Sequence, residues 1–218
     1  MEPAEERSTE GNRAPGSSDD VSSVTIDVHE HEGSLYRVLS SAIVPRAIAW
    51  VSTCNPDGTD NLAPYSFATV ASVDPPVVLF APVDGANGLK DTPRNVEATG
   101  EFVLNFVTED LAPAMNETSA TLEAGESEFD HAGLERAPSV TVDPPRVKKS
   151  PIALECTLRE LHPVGGSTLV LGDVQYVHLD DSVTTGGTID IEHVDPIGRL
   201  AGSWYARAGD RFSLDRPR

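Results

Sequence analysis

Three short polar clusters hold most of the groups in this chain that could do chemistry. They are Val44-Pro45-Arg46-Ala47-Ile48-Ala49-Trp50-Val51-Ser52-Thr53, then Asn61-Leu62-Ala63-Pro64-Tyr65-Ser66-Phe67, then Lys90-Asp91-Thr92-Pro93-Arg94-Asn95. Lys90 is one of only three lysines in 218 residues. Cations beside hydroxyls suit a phosphate, which needs positive charge together with N–H or O–H donors. Lys90 and Thr92 stand where a loop runs into a helix N-terminus, which adds open backbone amides. Arg46 offers a planar fork of donors. Ser52 and Thr53 close one strand, while Asn61 and Ser66 open and line the next. The backbone around Ala63, Pro64, Tyr65 and Ser66 suits the edge of a ring, because Pro64 interrupts strand pairing and frees neighbouring amides.

A ligand with a phosphate at one end and a planar ring on an apolar floor at the other matches this set; flavin mononucleotide (FMN) has that form. Each piece alone has a plainer reading. An isolated Lys90-Asp91-Thr92 is a surface helix cap with an ion pair. Arg46 by itself anchors an acidic loop, and Asn61 by itself is a turn residue. The order and spacing of all three clusters carry the specificity.

Strands and turns must position these groups. Residues 33–41 follow helical spacing, ended by Pro45. Residues 47–54 form an apolar run closed by the turn Asn55-Pro56-Asp57-Gly58, and a return strand over 61–72 completes a hairpin. Asp74-Pro75-Pro76 breaks the chain before a buried strand at 77–81. Asp91 or Thr92 is placed to cap a helix with Pro93 at its first position, ending near Gly100. A strand at 101–107 and a helix at 109–118 follow, then a long surface excursion over 124–145. Strands at 152–161 and 169–179 flank the Gly165-Gly166 turn, and 197–205 forms a last strand. Such a mainly antiparallel set with inserted helices predicts a closed or nearly closed β-barrel.

Composition narrows the partners. Thirty-five acidic against 16 basic residues give a net charge of −19. Nucleic acid and anionic membranes are excluded as partners for want of a cationic face. The acidic excess, with arginine in place of most lysine, predicts a halophilic protein whose carboxylate shell works in concentrated salt. No stretch approaches the roughly 18 apolar residues of a membrane span, and no apolar signal core is evident. Cys54 and Cys156 lack metal-ligand spacing and read as buried free thiols, so a reducing cytoplasm is expected. Residues 1–23 read as a disordered acidic tail and 24–218 as one domain. His29 and His31 alternate as on a strand, but no third metal ligand is identifiable, which favours solvated side chains.

The chain resembles the flavin reductase-like family of FMN-binding split barrels, which includes flavoredoxin-type proteins. The three clusters carry the resemblance, joined by Glu101-Phe102-Val103-x-Asn105, Glu128-Phe129-x-x-Ala132-Gly133-Leu134, Ser150-Pro151 with Glu155-Cys156, and Leu171-Gly172-Asp173-Val174. It spans about residues 35–205. It implies a split-barrel homodimer with FMN near the subunit interface. It implies flavin contacts at Arg46, Ser52, Thr53, Ala63, Ser66, Lys90, Thr92 and Asn95, with Arg199 reaching the flavin or the dimer seam; Asn61, Pro64 and Asp91, read from the clusters themselves, complete the expected binding set. It also implies a flavin reductase-type enzyme that takes a hydride from NAD(P)H and passes electrons to free flavin or another acceptor. The alternative is an FMN-binding electron carrier served by a redox-partner protein. A third reading is a barrel that has lost its flavin. No protein acid or base is obligatory for hydride transfer, so no catalytic side chain is assigned. Two features depart from the family pattern: Ala47 stands where a second proline is common, and 83–89 carries no cation.

Overall fold

The computed structural model describes residues 23–85, 88–123 and 125–217. The expected tail lies outside them except for its last position. The chain divides into Met1–Ser34 and Leu35–Arg218. In the first unit, the described residues hold a turn at 28–30 and no helix or strand. His29 and His31 are exposed in and beside that turn, so the strand geometry expected for them is not formed.

The second unit is mainly β. It runs α1 (Tyr36–Ala42), β1 (Ala49–Cys54), β2 (Asp60–Tyr65), β3 (Ala68–Val73), β4 (Pro76–Phe80), α2 (Asp91–Thr99) and β5 (Glu101–Asn105). Then come α3 (Ala112–Glu117), α4 (Glu128–His131), the short β6 (Arg136–Ala137) and β7 (Arg146–Val147), and the long hairpin β8 (Ile152–Val164) and β9 (Ser167–Leu179). Two small hairpins finish the chain: β10 (Thr184–Thr185) with β11 (Thr188–Ile189), and β12 (Ile197–Arg199) with β13 (Tyr205–Arg207).

One antiparallel sheet has the order β2-β1-β5-β8-β9-β4-β3. The expected single strand over 61–72 is therefore two. β1 runs out of partners at the Ala49–Tyr65 pair, and beyond Ser66 and Phe67 the chain pairs with β4 instead. This break dictates the shape. β2 and β3 are opposite edges of the sheet, yet only two residues separate them, a reach of about 11 Å. The sheet must curl until its edges nearly meet, leaving a seam between β2 and β3.

β1 is buried on both faces, which explains its unbroken apolar run. Ala49 and Val51 face Phe80, Phe102 and Val170, whereas Ile48 and Trp50 face Leu111, Met115 and Phe129 under α3 and α4. Trp50 Nε1 donates to Thr118 Oγ1 at 2.8 Å, fixing the end of α3. Gly172 is required where β9 passes Phe102, since a Cβ there would lie 2.2 Å from the ring.

Three expected elements are corrected. The helix after β5 starts only at Ala112, with Pro113 in its first turn. The 124–145 excursion contains α4 and β6 and buries Phe129 and Val142. The last expected strand is the β12–β13 hairpin, folded at 200–204.

Candidate functional site

A cavity of about 830 Å³ opens between β2, the start of α2 and the segment after α3. Its volume falls within the range of nucleotide and cofactor pockets. β2 contributes Asn61, Ala63, Pro64 and Tyr65, α2 and its cap contribute Lys90, Asp91, Thr92, Arg94 and Asn95, and residues 118–123 close the far side. The structure thus brings together seven of the residues singled out in the sequence: Asn61, Ala63, Pro64, Lys90, Asp91, Thr92 and Asn95.

Local chemistry explains their positions. Lys90 is the N-cap of α2 with extended backbone; its side chain makes no capping bond, and among the described residues no side chain caps the first turn, so the leading amides stay open. Gly100 ends the helix with φ of +75°, a left-handed conformation that favours glycine. Asn95 Nδ2 donates to Thr53 Oγ1 at 3.1 Å and ties α2 to β1. Asn61 Nδ2 donates to Thr92 Oγ1 at 2.9 Å and ties it to β2.

Free positive charge is scarce. Arg94 pairs with Asp91. Arg136, close by, is neutralised by Asp60 at 2.5 Å and Asp130 at 2.8 Å. The Lys90 carbonyl accepts the Arg94 N–H at 3.1 Å, but its ammonium has no hydrogen-bond or ion-pair partner among the described residues. Carboxylates are plentiful: Asp60, Asp91, Glu123, Glu126 and Glu128 all line the wall. Glu128 accepts the Leu62 N–H at 2.9 Å through Oε2, covering the free edge of β2. Burial pushes its carboxyl pKa up, helped by Asp91 and Asp60 and opposed by backbone N–H bonds.

Five expected site residues lie outside this wall. Ser52 donates to the Pro145 carbonyl at 2.5 Å, and Thr53 is fully buried behind α2. Arg46 is buried and donates to Ser40 O, to Ile43 O at 3.1 Å and to Leu200 O at 2.9 Å. These are the last carbonyls around α1 and the start of the 200–204 turn, so Arg46 caps a helix C-terminus. Ser66 accepts from Arg46 at 3.4 Å, and Arg46 sits 5.7 Å over the Phe67 ring. Arg199 bonds the Gly202 carbonyl and lies 4.5 Å over Tyr205.

Tyr65, Glu128 and the 118–123 segment complete the wall. Tyr65 was read only for its backbone and Glu128 only as part of a family motif, so neither side chain was expected at the site. The segment at 118–123 carried no signal, because its position depends on Trp50 reaching Thr118.

The residues present fit a flavin nucleotide. Lys90 with the open amides of α2 would hold its phosphate, and Ala63, Pro64 and Leu89 give apolar surface for its ring.

The sequence profile of the flavin reductase like domain matches residues 40–193, and the chain belongs to that family. It is similar to nitrilotriacetate monooxygenase component B of Bacillus cereus, with 34% identity and a TM-score of 0.85 over 88% of this chain and 98% of that one. It is similar also to 2-nitrobenzoate 2-nitroreductase of Pseudomonas fluorescens, with 30% identity and a TM-score of 0.81 over 89% and 96%. A Shewanella frigidimarina protein described as a flavin reductase with a split barrel domain shares the fold, at 23% identity and a TM-score of 0.72 over 83% and 91%. The curled sheet is a split barrel, and the family is one of flavin-linked oxidoreductases.

Proposed function

We propose that the protein is an FMN-dependent oxidoreductase that accepts a hydride from NAD(P)H and passes electrons to free flavin or another acceptor. One observation carries this reading: an unpaired ammonium, Lys90, stands at an uncapped helix N-terminus on the same cavity as the apolar and amide wall of β2. A bound flavin supplies the redox chemistry itself. The chain's own residues bind and orient it: Lys90 and the α2 amides at the phosphate, Asn61 and the β2 wall nearer the ring. Arg46, Ser52, Thr53, Ser66 and Arg199 act on this reading as supports for the surrounding strands and hairpin.

The second reading, an FMN-binding electron carrier without its own nicotinamide site, has a specific observation in its favour. The wall carboxylates Glu123 and Glu126, which have no ion-pair partner among the described residues, repel the pyrophosphate of a dinucleotide donor. The purified protein, loaded with FMN under anaerobic conditions, separates the two. Bleaching by NADH or NADPH supports the enzyme; bleaching by dithionite alone supports the carrier; failure to take up FMN rejects both.

Homodimer formation belongs to the same proposal. Tyr36, Leu39, Ile43 and Trp204 are large apolar side chains, each more than half exposed, in the body of the fold. Cys54 and Cys156 are free thiols, Cys156 buried as expected and Cys54 only partly buried at the end of β1, and no helix among the described residues is long and apolar enough to cross a membrane. A cytoplasmic location is proposed on the strength of the thiols.

A further inference from the structure

Resting on the reading of the cavity as a flavin site, we infer that Glu128 binds the ligand directly: its Oε1 accepts a hydrogen bond from a hydroxyl of the ribityl chain that joins phosphate to ring. Glu128 opens α4 and lines the cavity, yet only 8% of it is exposed. Its Oε2 accepts the Leu62 N–H at 2.9 Å, and no other residue's donor bonds Oε1 among the described residues. An ionised carboxyl has room for about four hydrogen bonds. Glu155, enclosed elsewhere in the same fold, fills that capacity with the Val140 and Thr141 amides, the Thr141 hydroxyl and His178. Among the described residues no enclosed side-chain oxygen or nitrogen is left without a partner, so the open oxygen of Glu128 meets the cavity. Such an oxygen is completed by a donor that arrives with the ligand.

Its place along the wall selects the donor. Leu62, which fixes the other oxygen, stands between Asn61 and Ala63 on β2. Asn61 donates to Thr92 in the first turn of α2, the phosphate end, whereas Ala63 and Pro64 give the apolar surface proposed for the ring. A strand advances about 3.3 Å per residue, so these ends lie about 7–10 Å apart with Glu128 beside the middle. A flavin spanning them lays its polyol chain there. Hydroxyls can donate to the carboxylate, whereas a phosphate beside it would be repelled. Burial pushes the Glu128 carboxyl pKa up, against backbone N–H bonds and together with Asp91 and Asp60, as expected of an anion short of donors. A hydroxyl adds a donor without adding charge. The substrate class follows: a flavin carrying its ribityl chain, in preference to the bare ring.

The test is a two-by-two equilibrium titration of full-length, flavin-free wild type and Glu128→Gln. Each is titrated with riboflavin and with lumiflavin, which carries a methyl group in place of the ribityl chain. Neither ligand has a phosphate, so the charge removed at position 128 acts on no ligand anion. Glu128→Gln keeps an oxygen for the Leu62 N–H and exchanges the anionic acceptor for an amide. It is expected to weaken riboflavin about tenfold, the loss of charge assistance in one hydrogen bond, and lumiflavin by less than about twofold. A purely structural role, acting through β2, would weaken both ligands alike. Wild type alone is expected to bind riboflavin about tenfold more tightly than lumiflavin, a comparison that needs no variant. Riboflavin affinity unchanged or raised in Glu128→Gln, both ligands weakened equally, or equal wild-type affinity for the two overturns the assignment and leaves the flavin site standing. A wild type that binds neither compound, nor FMN, overturns the flavin reading and this assignment together.

Discussion

Glu155 and Glu128 are almost fully enclosed, 0% and 8% exposed, yet their carboxyl groups are pulled in opposite directions. For Glu155, burial opposes ionisation, but hydrogen bonds from Thr141, His178 and the Val140 and Thr141 amides outweigh it and hold the pKa down at about 2. The contacts are short: 2.7 Å from both amides, 2.6 Å from Thr141 Oγ1 and 2.6 Å to His178 Nε2. For Glu128, burial wins, because its backbone N–H donors face the added repulsion of Asp91 and Asp60. The number of donors decides the sign. Glu155 is a clamp that fastens residues 140–141 to β8, whereas Glu128 lies on a cavity whose negative charge is only partly compensated. The split barrel therefore satisfies its buried charge fully in one region and incompletely where a ligand is proposed to sit.

Replacing each glutamate should expose this contrast. Glu155→Ala strips two amides, a hydroxyl and His178 of their acceptor, and should lower unfolding free energy by about 3 kcal/mol in urea melts. A loss under about 1 kcal/mol would show that water replaces the carboxylate readily and that no clamp exists. The wild-type acid limb should report the same group. A carboxyl with a depressed folded pKa contributes stability above its unfolded value near 4.5 and loses it as pH falls through the folded value of about 2. That contribution is about 3 kcal/mol, and it should be missing from the pH–stability curve of Glu155→Gln.

Salt should act on the other region. Molar KCl screens the cavity and surface carboxylates but leaves the enclosed bonds of Glu155 nearly untouched. The melting temperature should therefore climb steeply from dilute buffer to molar KCl, and by the same amount in Glu155→Gln. A flat profile would remove both the halophilic reading and the idea of uncompensated charge. The smallest effect is expected at Glu128. Its raised pKa means that ionisation weakens the fold, so stability is gained as pH falls through the folded value. Glu128→Gln removes that penalty and keeps an oxygen for Leu62 N–H, so stability at neutral pH should change by less than about 1 kcal/mol. A loss as large as that at Glu155 would make the two carboxylates equivalent and end the contrast.

Much of the cavity was legible in the residues because its parts are local. Lys90, Thr92 and Asn95 fall within six residues at the cap and first turns of one helix, and Asn61, Ala63 and Pro64 follow a turn whose chemistry is explicit. The Gly165-Gly166 hairpin and the Gly100 helix stop were readable for the same reason. The break at Ser66 and Phe67 was not, because it arises where β1 ends and no residue there is a strong breaker. Arg46 read as a ligand fork because its actual partners are backbone carbonyls of Ser40, Ile43 and Leu200, which leave no mark on a sequence. Glu155 was visible only as part of a family motif, since its clamp closes on amides 14 and 15 residues away.

The central claim is that scarce positive charge at position 90 and the β2 wall form one flavin site. Equilibrium titration of the flavin-free protein with FMN, run in parallel on wild type and Lys90→Ala, tests it most directly. The account predicts saturable binding of one FMN per chain in the wild type, weakened by about 1.5–3 kcal/mol without the ammonium. Equal FMN affinity in the two proteins, or none in either, would contradict it.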